Sequence, residues 1–154
     1  MKSSHDVHSV IYDKSLSYYF RKEFKKSTLV SNIMKDLIKH GNKISLQIYR
    51  DALKTQEEMA RQMDDFFRSY DILVSPSTAG IAPLTTEIEP PDPCLVWTMT
   101  YLSVLGAPLF SFDGLPFGAQ IVARRYNDFL LLKFLQYLRL HEMAPSSVNP
   151  VPII

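Results

Sequence analysis

Four histidines, one cysteine and a short run of hydroxyl side chains are the groups in this chain best suited to chemistry. His5 and His8 form the one close imidazole pair. No cysteine or acidic cluster completes a tetrahedral set around them, so no metal site is expected. His40 precedes Gly41, where an imidazole commonly bonds the last carbonyls of a helix. Ser75, Ser77 and Thr78 follow an apolar segment, the place where a strand could present a nucleophile. Such a nucleophile needs a base and backbone N–H donors aimed at the oxyanion. Ser75-Pro76 removes one N–H, only Gly80 is near, and a proline turn at a strand end is the expected structure. Cys94 has no histidine close in sequence, so burial is expected rather than an activated thiolate. The five glycines, Gly41, Gly80, Gly106, Gly114 and Gly118, are never adjacent. They cannot build a phosphate loop or a glycine-rich oxyanion loop.

The elements that position these groups follow from apolar spacing. Residues 1–15 are expected as a flexible tail and 16–26 as a short helix. Ser27 or Thr28 is expected to cap a second helix with Leu29, Val30, Ile33, Met34, Leu37 and Ile38 on one face, ending at Gly41. From Ser45 to about Tyr70 runs the longest helix. Its stripe is Leu46, Tyr49, Leu53, Gln56, Ala60, Met63, Phe67 and Tyr70. Glu57 with Arg61 and Asp64 with Arg68 stand at i,i+4 with the acid first.

Beyond Tyr70 the pattern changes to strands. Ile72–Ser75 reads as a buried strand stopped by Pro76. A proline-rich loop fills 85–93, and Asp92-Pro93 opens a helix to about Leu105 with Gly106 as its stop. Ala107–Phe112 and Phe117–Ala123 are strands joined by a turn at Asp113-Gly114. Asn127 or Asp128 caps a last helix to about Glu142, and 143–154 is expected as an extended tail. The division is therefore a helical part, 16–70, and a strand and helix part, 71–142. Three strands are too few to close a sheet by themselves, so at least one edge is expected to stay open.

Composition limits the function classes. With 46% apolar residues in 154, the chain can bury a real core. Residues 1–70 carry 13 basic and 9 acidic side chains, and residues 71–154 carry 4 and 7. The basic groups alternate with carboxylates along helices, which argues against a nucleic-acid surface. A single cysteine excludes an internal disulfide and fits a reducing, cytoplasmic compartment. The first residues lack the apolar core of a signal peptide. Pro93 to Phe112 is uncharged, but its Thr, Ser, Gly and Pro content fits a buried helix running into a strand better than a bilayer.

Four motifs, taken in order, resemble the C-terminal part of the amidase signature family, which hydrolyses carbon–nitrogen amide bonds. They begin with Gly41-Asn42-Lys43-Ile44-Ser45, followed by Tyr49 and Ala52. The second is Tyr70-Asp71-Ile72-Leu73-Val74-Ser75-Pro76-Ser77, and the third Ser103-Val104-Leu105-Gly106-Ala107-Pro108. The last is Gly114-Leu115-Pro116-Phe117-Gly118-Ala119-Gln120, followed by Asp128 and a leucine-rich helix. The match covers roughly residues 18 to 140, and its specificity lies in order and spacing. Ser103 stands where the family has Asn, and the loop before the last motif is shortened to Phe112-Asp113-Gly114.

The resemblance implies an α/β, partial amidase-signature-like fold, with helices on a small mixed sheet of about three strands. It also implies a Ser–cis-Ser–Lys triad in a Gly/Ser-rich stretch ahead of everything seen here. Ser3-Ser4 and Ser146-Ser147 are the only serine pairs, neither flanked by glycine, so no catalytic residue is carried over. The implied function is that of an amidase fragment without its triad region; the rival is a non-catalytic binding or assembly module. Trp97, Thr98 and Tyr101 are expected to contact substrate from one helix face, with a core role as the competing expectation. No cofactor, metal, nucleic acid or membrane is expected. The expected partners are a small-molecule amide in the intact enzyme and either another copy or the missing N-terminal part.

Overall fold

A computed structural model describes residues 3–84, 86–87, 93–112 and 115–144. The chain forms two compact units, Met1–Gln62 and Met63–Ile154. The expected turn at Asp113-Gly114, the Asp92 cap, most of the 85–93 loop and the tail from 145 lie outside the described residues. No helix among the described residues is long and apolar enough to cross a membrane.

The first unit is helical. The segment expected as a flexible tail is instead most of α1, Ser4–Tyr19, with Val7, Asp13, Leu16 and Ser17 buried. The cause is a capping box: Asp6 N donates to Ser3 Oγ at 3.2 Å, and Ser3 N donates to Asp6 Oδ2 at 3.0 Å. The expected helix at 16–26 is divided between the end of α1 and α2, Arg21–Lys25. After a 3-10 turn at Ser27–Leu29 comes α3, Asn32–Lys43. Its cap is Ser31, whose Oγ accepts from Met34 N, not Ser27 or Thr28. Leu29 and Ile33, expected on the buried face, are 83% and 76% exposed, and Ile38 carries the burial.

Gly41 lies inside α3 and does not end it, because α1 runs against it. A Cβ at Gly41 would overlap Asp13 O and stand 3.0 Å from Ser17 Cβ. Lys14 Nζ then closes the C-terminal end of α3, donating to Gly41 O at 3.3 Å and Ile44 O at 2.6 Å. α4, Leu46–Phe66, follows with Ser45 Oγ accepting from Ile48 N.

The second unit holds the sheet. β1 is Leu73–Pro76, β2 Ser103–Phe112 and β3 Leu115–Ala123, in the order β1-β3-β2 with both pairings antiparallel. Among the described residues three strands are present as expected, but the sheet is wholly antiparallel where a mixed one was expected. The helix expected from 93 to 105 is cut to α5, Leu95–Met99, and β2 starts before Gly106, which lies within the strand. Val104, Leu105 and Gly106 gain ladder partners on β3, and tertiary pairing outweighs local helix signals. α6, Asp128–Leu140, completes the unit.

β3 is buried on both faces. Ile121 and Ala123 meet Ala107, Leu131 and Leu138, so α6 covers one side. Val122 meets Phe67 and Leu102, with Met63, Leu73 and Trp97 around them on the other. Each fully buried Ile or Val side chain contributes about 1.5–3 kcal/mol.

The α1–α3 approach gives the first test. Gly41→Ala should destabilise the protein by about 1–3 kcal/mol in thermal or urea unfolding. Unchanged stability would mean the two helices have no close contact there.

Candidate functional site

The groups with chemical potential in the second unit gather around β3 and the turn before β2. Ser75 Oγ donates to Pro76 O at 3.4 Å, and Ser77 N donates to Gly118 O at 2.9 Å. Thr78 Oγ1 donates to Gly80 O at 2.6 Å. The three hydroxyl residues thus build the turn at the strand end, and among the described residues they are not bonded to any histidine or lysine. Cys94 lies half-buried at the start of α5.

Gln120 sits in register with Ser75 on one side and Gly106 on the other, so the three share one face of the sheet. Its Nε2 donates to Ser77 O at 3.3 Å, while its Oε1 is buried without a hydrogen-bond partner among the described residues. The indole Nε1 of Trp97 is likewise buried and unpaired. Such groups cost free energy in a native structure and are found where strain or function retains them. The sequence placed Gln120 in a motif but offered no sign of an orphaned oxygen.

The expected substrate face is rearranged. α5 ends at Met99, and Thr100 Oγ1 donates back to Val96 O at 2.7 Å. Trp97 packs toward the Phe67, Leu102 and Val122 cluster, while Thr98 is exposed. Tyr101 falls beyond the helix with φ 61° and its side chain half exposed. Trp97, Thr98 and Tyr101 therefore do not share a helix face. A bulky residue in the left-handed region is an outlier that the surroundings must hold.

A cleft of about 500 Å³ is lined by Asp64, Phe67, Arg68, Arg124, Arg125 and Tyr126. Arg125 grips Asp64 through both Nε and Nη2, a bidentate pair in which the arginine is mostly buried. The expected Asp64–Arg68 pair is replaced by it, and Arg68 turns to Asp65 at 3.3 Å on the surface. Pairing across sixty residues of sequence leaves no periodic signal. Of the three arginines lining the cleft, Arg125 is matched by Asp64 within it and Arg68 by Asp65 outside it.

In the first unit, His5 and His8 lie on α1, outside any disordered tail. His40 Nδ1 is 2.5 Å from the buried carboxylate of Asp13, not on its helix's last carbonyls; it is His141 that donates to Tyr137 O, at 2.8 Å. Burial lowers the His8 pKa, the neighbouring His5 lowers it further, and Asp13 opposes both. Among the described residues, no group of three His, Cys, Asp or Glu is placed to hold a metal.

The family model described as Amidase matches residues 3–132. The chain is 26% identical over 101 residues to a glutamyl-tRNA(Gln) amidotransferase polypeptide of Saccharolobus solfataricus, covering 60% of this chain and 21% of that one. The crystal structure of an amidase superposes with a TM-score of 0.80 at 19% identity, over 91% of this chain and 36% of that one. A substrate complex of 6-aminohexanoate cyclic dimer hydrolase gives 0.71 at 16%, over 94% and 36%. At these identities the structural likeness establishes the fold. The chain spans about a fifth of the amidotransferase polypeptide and little more than a third of the two hydrolases.

Two tests follow from this geometry. Trp97→Phe removes an unpaired N–H and should change stability by less than about 1 kcal/mol, whereas Trp97→Ala should cost about 2–4 kcal/mol in urea unfolding. Equal losses would place an unseen acceptor on the indole. For His8, the unfolded chain takes up its proton first as pH falls. Its contribution is therefore fully present above pH 6.5, the unperturbed value, and declines as pH drops below it. His8→Gln should flatten that part of the stability curve, and an unaltered slope would reject the assignment.

Proposed function

The chain belongs to the amidase family, and from that premise we propose that it forms the scaffold and part of the pocket wall of an amide hydrolase whose bond-cleaving residues lie outside these 154 residues. The observation carrying this is the state of the available nucleophiles. The Ser75 and Thr78 hydroxyls donate to neighbouring backbone carbonyls, Ser77 is held through its backbone N–H, and none of the three meets a base among the described residues.

In this reading the catalytic portion supplies a serine activated by a lysine through a cis-serine, as the family resemblance implies. The serine oxygen adds to the amide carbonyl, and the C–N bond breaks as the leaving nitrogen takes a proton. Water then hydrolyses the resulting ester and frees the acid. No cofactor enters these steps.

This chain's share is binding and orientation. Thr98 and Tyr101 offer hydroxyl groups and an aromatic surface to solvent at the turn before β2, with Trp97 behind them as support. The positive φ of Tyr101 supports a positional role, since such strain is retained where a side chain must be aimed.

One observation favours the rival, a non-catalytic assembly module. α6 exposes Phe129, Leu132 and Leu140 at 79%, 57% and 75%, opposite its buried Leu131 and Leu138. A helix apolar on both sides suits coverage by another surface.

The assay is ammonia release from a primary carboxamide by the 154-residue chain and by a version with the upstream region restored. The chain alone should be inactive and the longer protein active. In the longer protein, Tyr101→Ala should raise KM about tenfold with little change in kcat. Hydrolysis by the chain alone, abolished by one substitution at Ser75, Ser77 or Cys94, would overturn the proposal.

A further inference from the structure

α2 buries none of its residues, so the core of the first unit does not account for it. A helix that short gains little from its own hydrogen bonds in water. It carries Arg21, Lys22 and Lys25, Lys26 follows, and Glu23 is the one carboxylate among them. Elsewhere exposed cations meet acids on the same helix, as Lys39 meets Asp36 and Lys54 meets Glu58. None of the four around α2 is in an ion pair among the described residues.

Large apolar side chains flank this charge. Tyr18, Tyr19 and Phe20 stand exposed where α1 meets α2, and Leu29 and Ile33 stand exposed after it. Arg21 lies over the Tyr18 ring at 4.4 Å and donates to Tyr18 O at 2.6 Å, which keeps its guanidinium beside the two tyrosines. α2 touches α1, the 3-10 turn and α3, so these groups adjoin. Among them is a recess of about 420 Å³ lined by Lys22, Glu23, Lys26, Leu29 and Val30.

We propose that this surface attaches the chain to a membrane carrying anionic lipids, with lipid phosphates held by Lys22 and Lys26 and with Leu29 and Ile33 entering the acyl boundary. Charge complementarity selects the occupant, since each basic residue near an anionic leaflet raises affinity about fivefold. The aliphatic pair decides between polyanions. Nucleic acid or an acidic peptide would pair with the lysines but offers Leu29 and Ile33 no apolar phase, which a bilayer does. Tyrosine suits the headgroup level, with an apolar ring and a polar hydroxyl. The composition of residues 93–112 argued only against a span, and surface attachment needs none. The proposal is separate from the hydrolytic reading and stands or falls without it.

The test is co-sedimentation of the 154-residue chain with lipid vesicles. It should bind vesicles of mixed phosphatidylglycerol and phosphatidylcholine about tenfold better than phosphatidylcholine alone, and high salt should remove that difference. Lys22→Gln with Lys26→Gln should lower binding to the mixed vesicles about tenfold or more. Leu29→Ser with Ile33→Ser should lower it about tenfold. All four side chains are exposed, so thermal unfolding of these variants should match that of the parent. Leu132→Ser with Leu140→Ser, on the exposed face of α6, should leave binding intact.

Equal binding to both kinds of vesicle, or binding that survives the paired glutamine variant, overturns the proposal. So does a loss confined to that variant while the paired serine variant at 29 and 33 still binds, which would assign the lysines to a soluble polyanion. Loss on substituting Leu132 and Leu140 moves the contact to α6 and overturns it equally.

Discussion

Strand β3 has no face left for solvent, and the second unit is arranged around that constraint. From Ala119 to Ala123 every residue is buried. Its odd positions need α6, and Val122 needs the Phe67 and Leu102 cluster. Both edges are occupied as well, by β1 and β2. The prolines then fall where a sheet tolerates them: Pro76 ends the edge strand β1, and Pro108 lies in the register shift between Ala107 and Phe110. The same order that satisfies β3 leaves the outer edges of β1 and β2 to be dealt with by other means.

The parts legible in the sequence were those with local causes. The apolar runs at 72–75 and 117–123, the leucine-rich helix after Asn127 and the long helix from Ser45 were each set by short-range pattern, and each lies within four residues of its place. The capping box Ser3-x-x-Asp6 is also local, but it precedes a weakly amphipathic segment whose pattern suggests a tail rather than a helix. Gly41 shows the opposite failure. Its type suggests a helix end, while its cause is the passage of α1 across α3, which no window of sequence contains.

The region expected to touch substrate was the least legible, for a physical reason. Residues 95–106 carry helix-compatible spacing, a glycine and a run of β-branched and aromatic side chains, so both structures are locally allowed. The decision is made by β3, whose edge bonds recruit Ser103–Ala107. The cost is concentrated at Tyr101, driven to φ 61° where the short helix must reverse into a strand. In the same way Asp64 could not be assigned to Arg125 in place of Arg68, since a buried bidentate pair outcompetes a surface i,i+4 contact only once the fold has brought the partners together.

Two kinds of unfinished business meet on one face of the sheet. The buried Oε1 of Gln120 has no donor, and Gly106, in register beside it, carries no side chain and faces open space. Either feature alone is ordinary for a small domain. Side by side on the middle of a sheet they are harder to reconcile with a chain optimised for its own stability, because a leucine-sized side chain at 120 and a β-branched one at 106 would remove an orphaned acceptor and strengthen the strand. Natural sequences depart from such local rules mainly where function demands it. The departure here falls on the face of β3 that also carries Val122, so the face that costs this chain stability is also the one whose cluster takes in Trp97.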